Sequence, residues 1–388
     1  CSTDFRIRPG VFGSALSLAC SARYGHRMIP HCNVILSFVL VGFMANVSLG
    51  QDVDAALDVL SPMPPLVDGN ASPQAMAAYD RGTELLAGGD ASAALLQLNQ
   101  AVVADPNFAA AYLARAQALA ELGQSRSAVK SLSTGLSAAN DASTRVAIHL
   151  ERGDLYLASG QFAKALDDFD RAFELQPASA DVAHRRGKAL RQLAAEELAL
   201  GTPGASERMQ QALAAFDRAI AIQPDHAEAL SDRASLHADL GQRDKAVEDL
   251  TKALSVDPDD RDKQYRLAVL HLQLATADRS RYVDDEAKQV EELRTAGRLL
   301  TAALQHESEP DDEEELQQHQ IQLARAVALV ELAAVTPNAE LRNEQYQAAL
   351  ADCMEVTRAK PELPAAHFQR GIVLRLMNGF RPAIDAFS

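Results

Sequence analysis

Two histidines, His237 and His271, lie 34 residues apart and occupy equivalent places in a pattern that repeats along the chain. Imidazole nitrogens are common ligands of zinc and other transition metals, so two histidines brought together by folding could share a metal ion. Other copies of the pattern carry Leu or Tyr at this place, as at Tyr156. A histidine there can equally fill a slot between helices, and we favour that packing role. The sequence therefore predicts no metal and no cofactor.

Arginine also recurs at one place in the pattern. A row of guanidinium groups could bind an acidic ligand, because arginine holds carboxylates in a two-pronged geometry. The alternative is structural: the aliphatic stem packs between helices, and the guanidinium pairs with an acid such as Asp168, Asp170, Asp217 or Asp249. We favour this alternative, because this place in the pattern faces neighbouring helices. The arginines are Arg81, Arg115, Arg152, Arg186, Arg233 and Arg370.

Sequence motifs of catalytic sites are missing from the chain. It has no phosphate-binding loop, no G-x-S-x-G, no H-E-x-x-H and no C-x-x-C. Three of the four cysteines lie in the first fifty residues, and Cys353 alone cannot form a disulfide within the body. Its apolar helical surroundings favour a buried, unreactive thiol. We therefore predict that the chain is not an enzyme.

The repeating pattern is clearest in two similar phrases, Asp167–Pro177 (DDFDRAFELQP) and Ala214–Pro224 (AAFDRAIAIQP). Pro258 follows Pro224 by 34 residues. When this proline is numbered 32 in each unit, small residues recur at positions 8, 20 and 27 and larger apolar residues at positions 11 and 24. Small residues let two helices approach closely. Glycine near position 15 ends the first helix at a positive φ, and the proline ends the second helix.

This pattern and its period resemble those of the tetratricopeptide repeat family. The resemblance implies an all-α fold, an α-solenoid in which antiparallel helix hairpins stack into a right-handed superhelix. Five units span residues 75–258, and the fourth has an insertion near residues 195–207, where we expect a loop at Gly201–Ser206. Two lengthened hairpins follow over residues 259–363, and residues 364–388 begin an incomplete terminal unit. The helices expected in these hairpins are Arg261–Arg279, Asp284–Gln305, Glu313–Ala334 and Ala339–Ala359.

In this family, positions 2, 5, 9 and 12 of the first helices tend to face a ligand in the concave groove. Lys188 and Arg191 would form a basic spot in the middle of this groove, suited to a protein or peptide with an acidic anchor. The alternative is that the surface is merely solvated. The partner-binding candidates that the resemblance implies are Tyr79, Thr83, Leu113, Gln117, Leu150, Asp154, His184, Lys188, Arg191 and Tyr265.

Residues 1–50 follow the plan of a secretory signal peptide. The apolar stretch Val34–Ala45 precedes Ser48 and Gly50, which are small enough for cleavage near residue 50. We expect export of the body, periplasmic or secreted, behind a flexible Pro-rich linker at residues 51–74. The alternative is a membrane anchor over residues 34–50, although the apolar stretch is short for a bilayer-spanning helix. Met28 would be a natural start, with residues 1–27 as an upstream segment.

The net charge of −16 argues against nucleic acid, which requires a basic face. We predict a non-catalytic scaffold that binds a protein or peptide and meets membranes only through an uncleaved anchor. The alternative is the regulatory or substrate-recruiting half of a larger enzyme, or of a secretion or assembly complex, with its other domain beyond Ser388. A further hypothesis is self-association through an uncapped C-terminal end, because such an end exposes apolar surface.

Overall fold

The structure, a computed structural model, describes residues 71–277, 282, 285–305 and 312–377, with side chains described from residue 317 onward in the last range. These residues form fifteen α-helices and no strand, as the sequence predicts. The helices are α1 Pro73–Ala87, α2 Ala91–Ala104, α3 Ala109–Glu121, α4 Ser125–Ala138, α5 Ala142–Ala158, α6 Phe162–Leu175, α7 Ala180–Leu200, α8 Ala205–Ile222, α9 Ala227–Asp239, α10 Arg243–Val256, α11 Arg261–Ala277, α12 Glu286–Leu304, α13 Asp312–Val335, α14 Ala339–Ala359 and α15 Pro364–Leu376.

Residues 71–270 belong to one compact unit, here the N-terminal unit, and the described residues from His271 onward belong to another. In the N-terminal unit, each odd-numbered helix from α1 to α9 packs against the even-numbered helix that follows it, which makes five hairpins. Helices α2, α4, α6 and α8 also pack against the next odd-numbered helix. Successive first helices touch as well, in the pairs α1–α3, α3–α5, α5–α7 and α7–α9. The hairpins therefore stack with their first helices in one layer, as in an α-solenoid.

In the unit from His271 onward, α12 packs on α13, α13 on α14 and α14 on α15. The core of this unit includes Val330, Cys353, Val356 and Val373, all buried. The helix bounds in this region lie within two residues of those expected from the sequence. Arg279 and Asp284, at the ends of two expected helices, lie outside the described residues, as do the residues of the terminal unit after Met377.

Helix ends in the N-terminal unit follow the glycine and proline positions of the repeat. Four first helices end in a glycine with φ between 70° and 78°, a conformation that costs glycine little. In each case the next residue's backbone N–H donates to the carbonyl five residues earlier, as Gln161 does to Tyr156 at 2.8 Å, which is the helix-ending arrangement typical of such glycines. Four second helices end two residues before a proline. The glycines are Gly89, Gly123, Gly160 and Gly241, and the prolines are Pro106, Pro177, Pro224 and Pro258.

The insertion in the fourth unit differs from the expected loop. Helix α7 continues to Leu200 and helix α8 begins at Ala205, so only Gly201–Gly204 are not helical. The expected loop at Gly201–Ser206 is thus shorter, and the second helix starts well before the position that the repeat alone would indicate. The inserted residues are mostly Ala, Leu and Glu, which are good helix formers, so they lengthen both helices of the hairpin.

Helix α1 begins at Pro73, inside the expected linker 51–74. Proline suits the first helical position, and the Ser72 hydroxyl accepts a hydrogen bond from the backbone N–H of Ala75, which caps the helix. The rest of that linker, and the expected signal peptide or anchor at residues 1–50, lie outside the described residues. Within the described part of the chain, every helix falls short of the length or apolarity required to cross a bilayer.

Candidate functional site

The ten candidate groove residues divide by their position in the repeat. The five at position 5 are buried, and those at positions 9 and 12 are partly exposed. The buried residues are Tyr79, Leu113, Leu150, His184 and Tyr265. The partly exposed residues are Thr83, Gln117, Asp154, Lys188 and Arg191.

Position 5 is buried because it packs against the next repeat. The Tyr79 ring lies 5.0 Å from that of Phe108, which precedes the following first helix. Leu150 belongs to one buried cluster with Val182 of the next unit. Burial also raises the pKa of the Tyr265 hydroxyl to about 12. Among the ten candidates, the side chains that solvent reaches are therefore those at positions 9 and 12. We call these positions, together with the position-6 side chains beside them, the inner face.

Polar contacts link the inner face from one repeat to the next, and they join position 9 of one unit to position 6 of the following unit. The Gln117 amide donates to Glu151 Oε1 at 3.2 Å. Arg185 donates to Asp154 across the next boundary. Arg266 Nη1 lies 3.4 Å from Ser235 Oγ after the fifth unit. We call this series the inter-repeat ladder; it fixes the spacing of the first helices with polar groups that still reach solvent.

Arg185 is the most connected member of the ladder. Besides Asp154, its Nε lies 3.1 Å from both carboxylate oxygens of Asp181. The Arg185 and Asp181 side chains are 26% and 49% exposed, yet burial lowers the pKa of Arg185 and raises that of Asp181. Burial likewise raises the pKa of Glu151. Burial thus disfavours the charged form of all three groups, although solvent still reaches part of each side chain.

The predicted basic spot is surrounded by acids. Arg191 lies 3.7 Å from an Asp232 oxygen and 3.5 Å from an Asp239 oxygen. His184 Nε2 lies 2.7 Å from the other Asp232 oxygen. Although burial acts to raise it, the pKa of Asp232 is lowered because His184 is hydrogen-bonded to it and Arg191 and Lys188 lie nearby. This part of the inner face is therefore a mixed-charge cluster.

Three residues in or beside this cluster are not among the sequence-based candidates. They are Asp232, Asp239 and His226, whose ring lies 5.0 Å from that of His184. Asp232 and Asp239 occupy positions 6 and 13 of the fifth unit, and His226 is the residue that precedes helix α9. The complementarity of positions 9 and 6, as in Asp154 and Arg185, could have indicated the ladder. The position of His226 could not be inferred, because the insertion in the fourth unit hides the spacing between the two repeats.

Three of the six recurring arginines, Arg152, Arg186 and Arg233, pair with aspartates, as the structural role expects. Arg152 donates to both oxygens of Asp168 at 2.9 and 2.7 Å. Arg233 does the same with Asp249 at 2.8 and 2.6 Å, and it also donates to Asp217. These bonds raise the pKa of both arginines. The bonds to Asp168 and Asp249 join the two helices of one hairpin, whereas the bond from Arg233 to Asp217 joins one hairpin to the next.

The histidines of the repeat have acidic neighbours of their own. His237 Nε2 lies 3.9 Å from an oxygen of Asp249. His271 Nδ1 lies against the carboxylate of Glu292. Each imidazole is thus placed beside a carboxylate between helices, as expected of a packing role.

The sequences of these hairpins match models of a known repeat. Residues 79–142, 146–179 and 205–272 match three sequence models of the tetratricopeptide repeat. The chain is a tetratricopeptide repeat protein. The matched segments cover the inner-face residues from Thr83 to Arg266, except for helix α7, where the insertion interrupts the repeat.

Two curated relatives of this tetratricopeptide repeat protein are DnaJ homolog subfamily C member 3 from Gallus gallus and from Homo sapiens. The first is 26% identical over 200 residues and the second 27% identical over 196 residues. Each match covers 50% of this chain and 38% of the relative. The match therefore spans well under half of the length of these relatives.

Solved structures with a similar fold include MamA and a tetratricopeptide repeat protein from Parabacteroides merdae. MamA is 21% identical with a TM-score of 0.39, covering 48% of this chain and 92% of MamA. The Parabacteroides merdae protein is 16% identical with a TM-score of 0.46, covering 78% of this chain and all of that protein. The assignment of the fold rests on the hairpin contacts and the matched repeats. Proteins with such repeats are typically non-catalytic scaffolds for protein binding.

Proposed function

We propose that this protein is a non-catalytic scaffold that binds a protein or peptide along the inner face of its N-terminal unit. The repeat type supports binding in general, and the layer formed by the first helices supplies a continuous surface. The single observation that carries the proposal is that polar side chains at position 9 of successive first helices, those of Gln117, Asp154 and Lys188, are partly exposed along this layer. Beside them, burial shifts the pKa of Arg185 and that of Asp181 toward the neutral form.

The inner face places an amide, a carboxylate and an ammonium, those of Gln117, Asp154 and Lys188, at position 9 of three successive repeats. A peptide laid along the first helices would meet one such group at each repeat. This spacing suits an extended or helical segment of a partner protein.

Within this surface, Lys188 is the residue that we propose to hold an acidic anchor. Its side chain is partly exposed, and among the described residues it has no hydrogen bond or ion pair, unlike Arg191 beside it. Its charge acts on Asp181 and Asp232 at longer range. An acidic partner group would give this ammonium a direct contact at the floor of the groove.

Site-specific photo-crosslinking tests the proposed face. A photoreactive phenylalanine analogue is placed at Gln117 or Lys188 on the inner face, and at Lys130 or Lys252 on exposed second helices as controls. In extracts of the source cells, adducts of a common partner are expected from the inner-face positions alone. Equal labelling from both sets, or labelling from the second helices alone, would remove the inner face as the binding surface.

The acidic anchor has its own test with the partner identified in this way. Lys188→Glu is expected to weaken binding at least about tenfold, because it replaces attraction with repulsion at the contact. The matched control is Lys252→Glu, which alters an exposed lysine on a second helix and is expected to bind as the wild type does. Circular dichroism verifies that both variants keep their helices. Unchanged binding by Lys188→Glu would contradict the proposed acidic anchor, but it would not affect the crosslinking test of the inner face.

A second candidate function is the recruiting or regulatory part of a larger protein or complex. It is favoured by the relatives, because the match covers only 38% of their length. The sequence of the reading frame downstream of Ser388 tests it: a further folded domain supports this role, and an immediate stop codon counts against it.

We also propose that the body is exported, on the basis of the apolar stretch Val34–Ala45 and the small residues that follow it. Cell fractionation and N-terminal sequencing of the mature protein test this. A new N-terminus near Gln51 in the exported fraction is expected. An intact N-terminus in the membrane fraction would favour the anchor, and an intact one in the cytoplasm would exclude both.

A further inference from the structure

Three side chains that can bind metal ions meet between the first helices of the fourth and fifth repeats. Asp181 and His184 lie one turn apart at the start of helix α7, so they share a face of that helix. His226 caps the start of helix α9. One ligand atom from each of the three lies within 4.8 Å of the other two. The two imidazole rings are 5.0 Å apart.

We propose that Asp181, His184 and His226 bind a divalent transition-metal ion, with Zn²⁺ as the ion that fits best. Two imidazole nitrogens and one carboxylate oxygen are ligands that Zn²⁺ accepts, at about 2.0–2.2 Å from the metal. Ligand atoms of a tetrahedral site lie roughly 3.3–3.5 Å apart, so the observed cluster has to contract by about 1 Å. Rotation of the half-exposed Asp181 side chain can supply much of this movement.

Each histidine has a carboxylate close to one of its two ring nitrogens. His184 Nε2 lies 2.7 Å from Asp232, which leaves the lone pair of Nδ1 for a metal. His226 Nδ1 accepts a hydrogen bond from the backbone N–H of Ala229 at 3.2 Å and also lies 3.3 Å from Glu228. A metal on Nε2 therefore requires the tautomer in which Nδ1 carries the proton, gives up the Ala229 bond and donates to Glu228 instead. Metal-binding histidines usually donate their second N–H to a carboxylate or carbonyl, which fixes the ring and makes the ligand more basic. His184 has this second partner before any metal arrives, and His226 gains it by the change of tautomer.

The balance of charge and access suits a cation. His184 and His226 are 7% and 9% exposed, whereas Asp181 opens toward solvent and gives the ion a path of entry. Asp181, Asp232 and Glu228 supply three negative charges around the two rings. Arg185 competes with a metal ion for the Asp181 carboxylate. When Asp181 turns toward the metal, Arg185 retains Asp154 as a partner. Lys188 stays near both Asp181 and Asp232, and it lowers the metal affinity without blocking a ligand atom.

Three protein ligands leave a fourth position on a tetrahedral ion open. Water or a side chain of a bound partner would occupy that position. The sequence analysis did not indicate this site, because His226 and Asp181 belong to different repeats separated by the insertion. The histidine pair considered from the repeat period, His237 and His271, is a different one.

The experiment uses the full chain without a histidine tag, freed of metal by dialysis against a chelator. Zn²⁺ is titrated in competition with a chromogenic chelator, and Co²⁺ is titrated in parallel for its visible absorption bands. Wild type is expected to bind one Zn²⁺ per chain tightly. His184→Gln and His226→Gln are expected to weaken this binding at least about tenfold and to abolish the Co²⁺ bands, as loss of a ligand requires. The matched control, His237→Gln, is expected to keep both.

Asp232→Asn provides a separate test of the carboxylate behind His184, and it is expected to weaken Zn²⁺ binding about 10–100-fold. If either histidine variant fails to fold, Asp181→Asn replaces it, because Asp181 is half-exposed and its loss leaves the core intact. The proposal is overturned if wild type shows no saturable Zn²⁺ binding, or if the ligand variants bind Zn²⁺ as tightly as the wild type does.

Discussion

The ring of Phe169 occupies the space that a side chain on Gly153 would need: a Cβ at Gly153 would lie 2.5 Å from Phe169 Cε1. Gly187 and Phe216 have the same relationship in the fourth repeat, again at 2.5 Å, and Gly82 and Leu98 have it in the first at 2.6 Å. All three large side chains are completely buried. The glycine at position 8 is thus the socket for the apolar residue at position 24 of the same hairpin.

Replacing Gly153 with Ala is expected to destabilise the N-terminal unit by about 1–3 kcal/mol, because the new methyl group overlaps a ring that has no room to move. Urea unfolding followed by circular dichroism measures the change. Gly88→Ala is the control, since a Cβ there meets nothing closer than 3.5 Å and φ is negative. If the Gly153→Ala variant were as stable as the control, the claim that the Phe169 ring fills the space at Gly153 would be wrong.

A different glycine tests the turn between the helices of the third hairpin. Gly160 has φ +70° and open space around it, so Gly160→Ala suffers only from backbone strain, about 1 kcal/mol. Gly160→Asn is expected to cost less, because asparagine tolerates this conformation better than alanine does. The urea concentrations at the midpoints of unfolding of the two variants are compared. If both variants lose the same stability, the destabilisation has a cause other than the positive φ at residue 160.

The ion pair of Asp168 predicts a dependence of stability on pH. Asp168 is 1% exposed and contacts Arg152 and His149. Burial acts to raise its pKa, but these two partners lower it overall. A carboxyl whose pKa is lower in the folded state stabilises the fold fully above its unfolded pKa of about 4, and this contribution is lost as pH falls through the folded value.

Asp168→Asn is therefore expected to lower the free energy of unfolding by about 2–3 kcal/mol at pH 7, and by progressively less below pH 4. Urea unfolding at a series of pH values measures both effects. Glu174→Gln is the control: its partner Arg171 is 57% exposed, and the loss of such a solvent-screened pair is expected to leave stability nearly unchanged. A difference between wild type and Asp168→Asn that stays constant from pH 7 to pH 3 would contradict the prediction.

The thiol of Cys353 is expected to resist alkylation in the folded protein. It is fully buried between helices, and burial, aided by the nearby Asp352, raises its pKa to about 12. The reactive thiolate is therefore scarce at neutral pH. Mass spectrometry after iodoacetamide treatment measures labelling at this residue, which is expected to appear only after denaturation. Labelling of Cys353 in the native protein within minutes would contradict this.

The hairpins were predictable because their determinants are local. The glycine near position 15 and the proline at position 32 act through φ and through a missing N–H, which need no knowledge of distant residues. The pairing of Arg152 with Asp168 was also predictable, because both lie in one hairpin at a fixed spacing. Such features repeat with the period and can be read from one unit to the next.

The groove was less predictable, because it depends on how one repeat meets the next. Tyr79 and Leu150 occupy positions that face a ligand in related proteins, but here they pack against Phe108 and Val182 of the following unit. The loop expected at Gly201–Ser206 is also shorter than predicted. Its Gly-Thr-Pro-Gly sequence indicates a turn correctly, but the helix-forming residues on both sides extend the hairpin up to that turn.

The socket of each repeat has a consequence for how such a protein can change in length. Because Phe169 fills a gap within its own hairpin, a recombination event that duplicates or removes one whole unit of the gene leaves the sockets of all other units complete. The contacts between units, such as Asp154 with Arg185, are the part that must be refitted at the new junction. Evolution can thus change the number of hairpins one whole unit at a time. Only the residues at the new junction between two units then have to change.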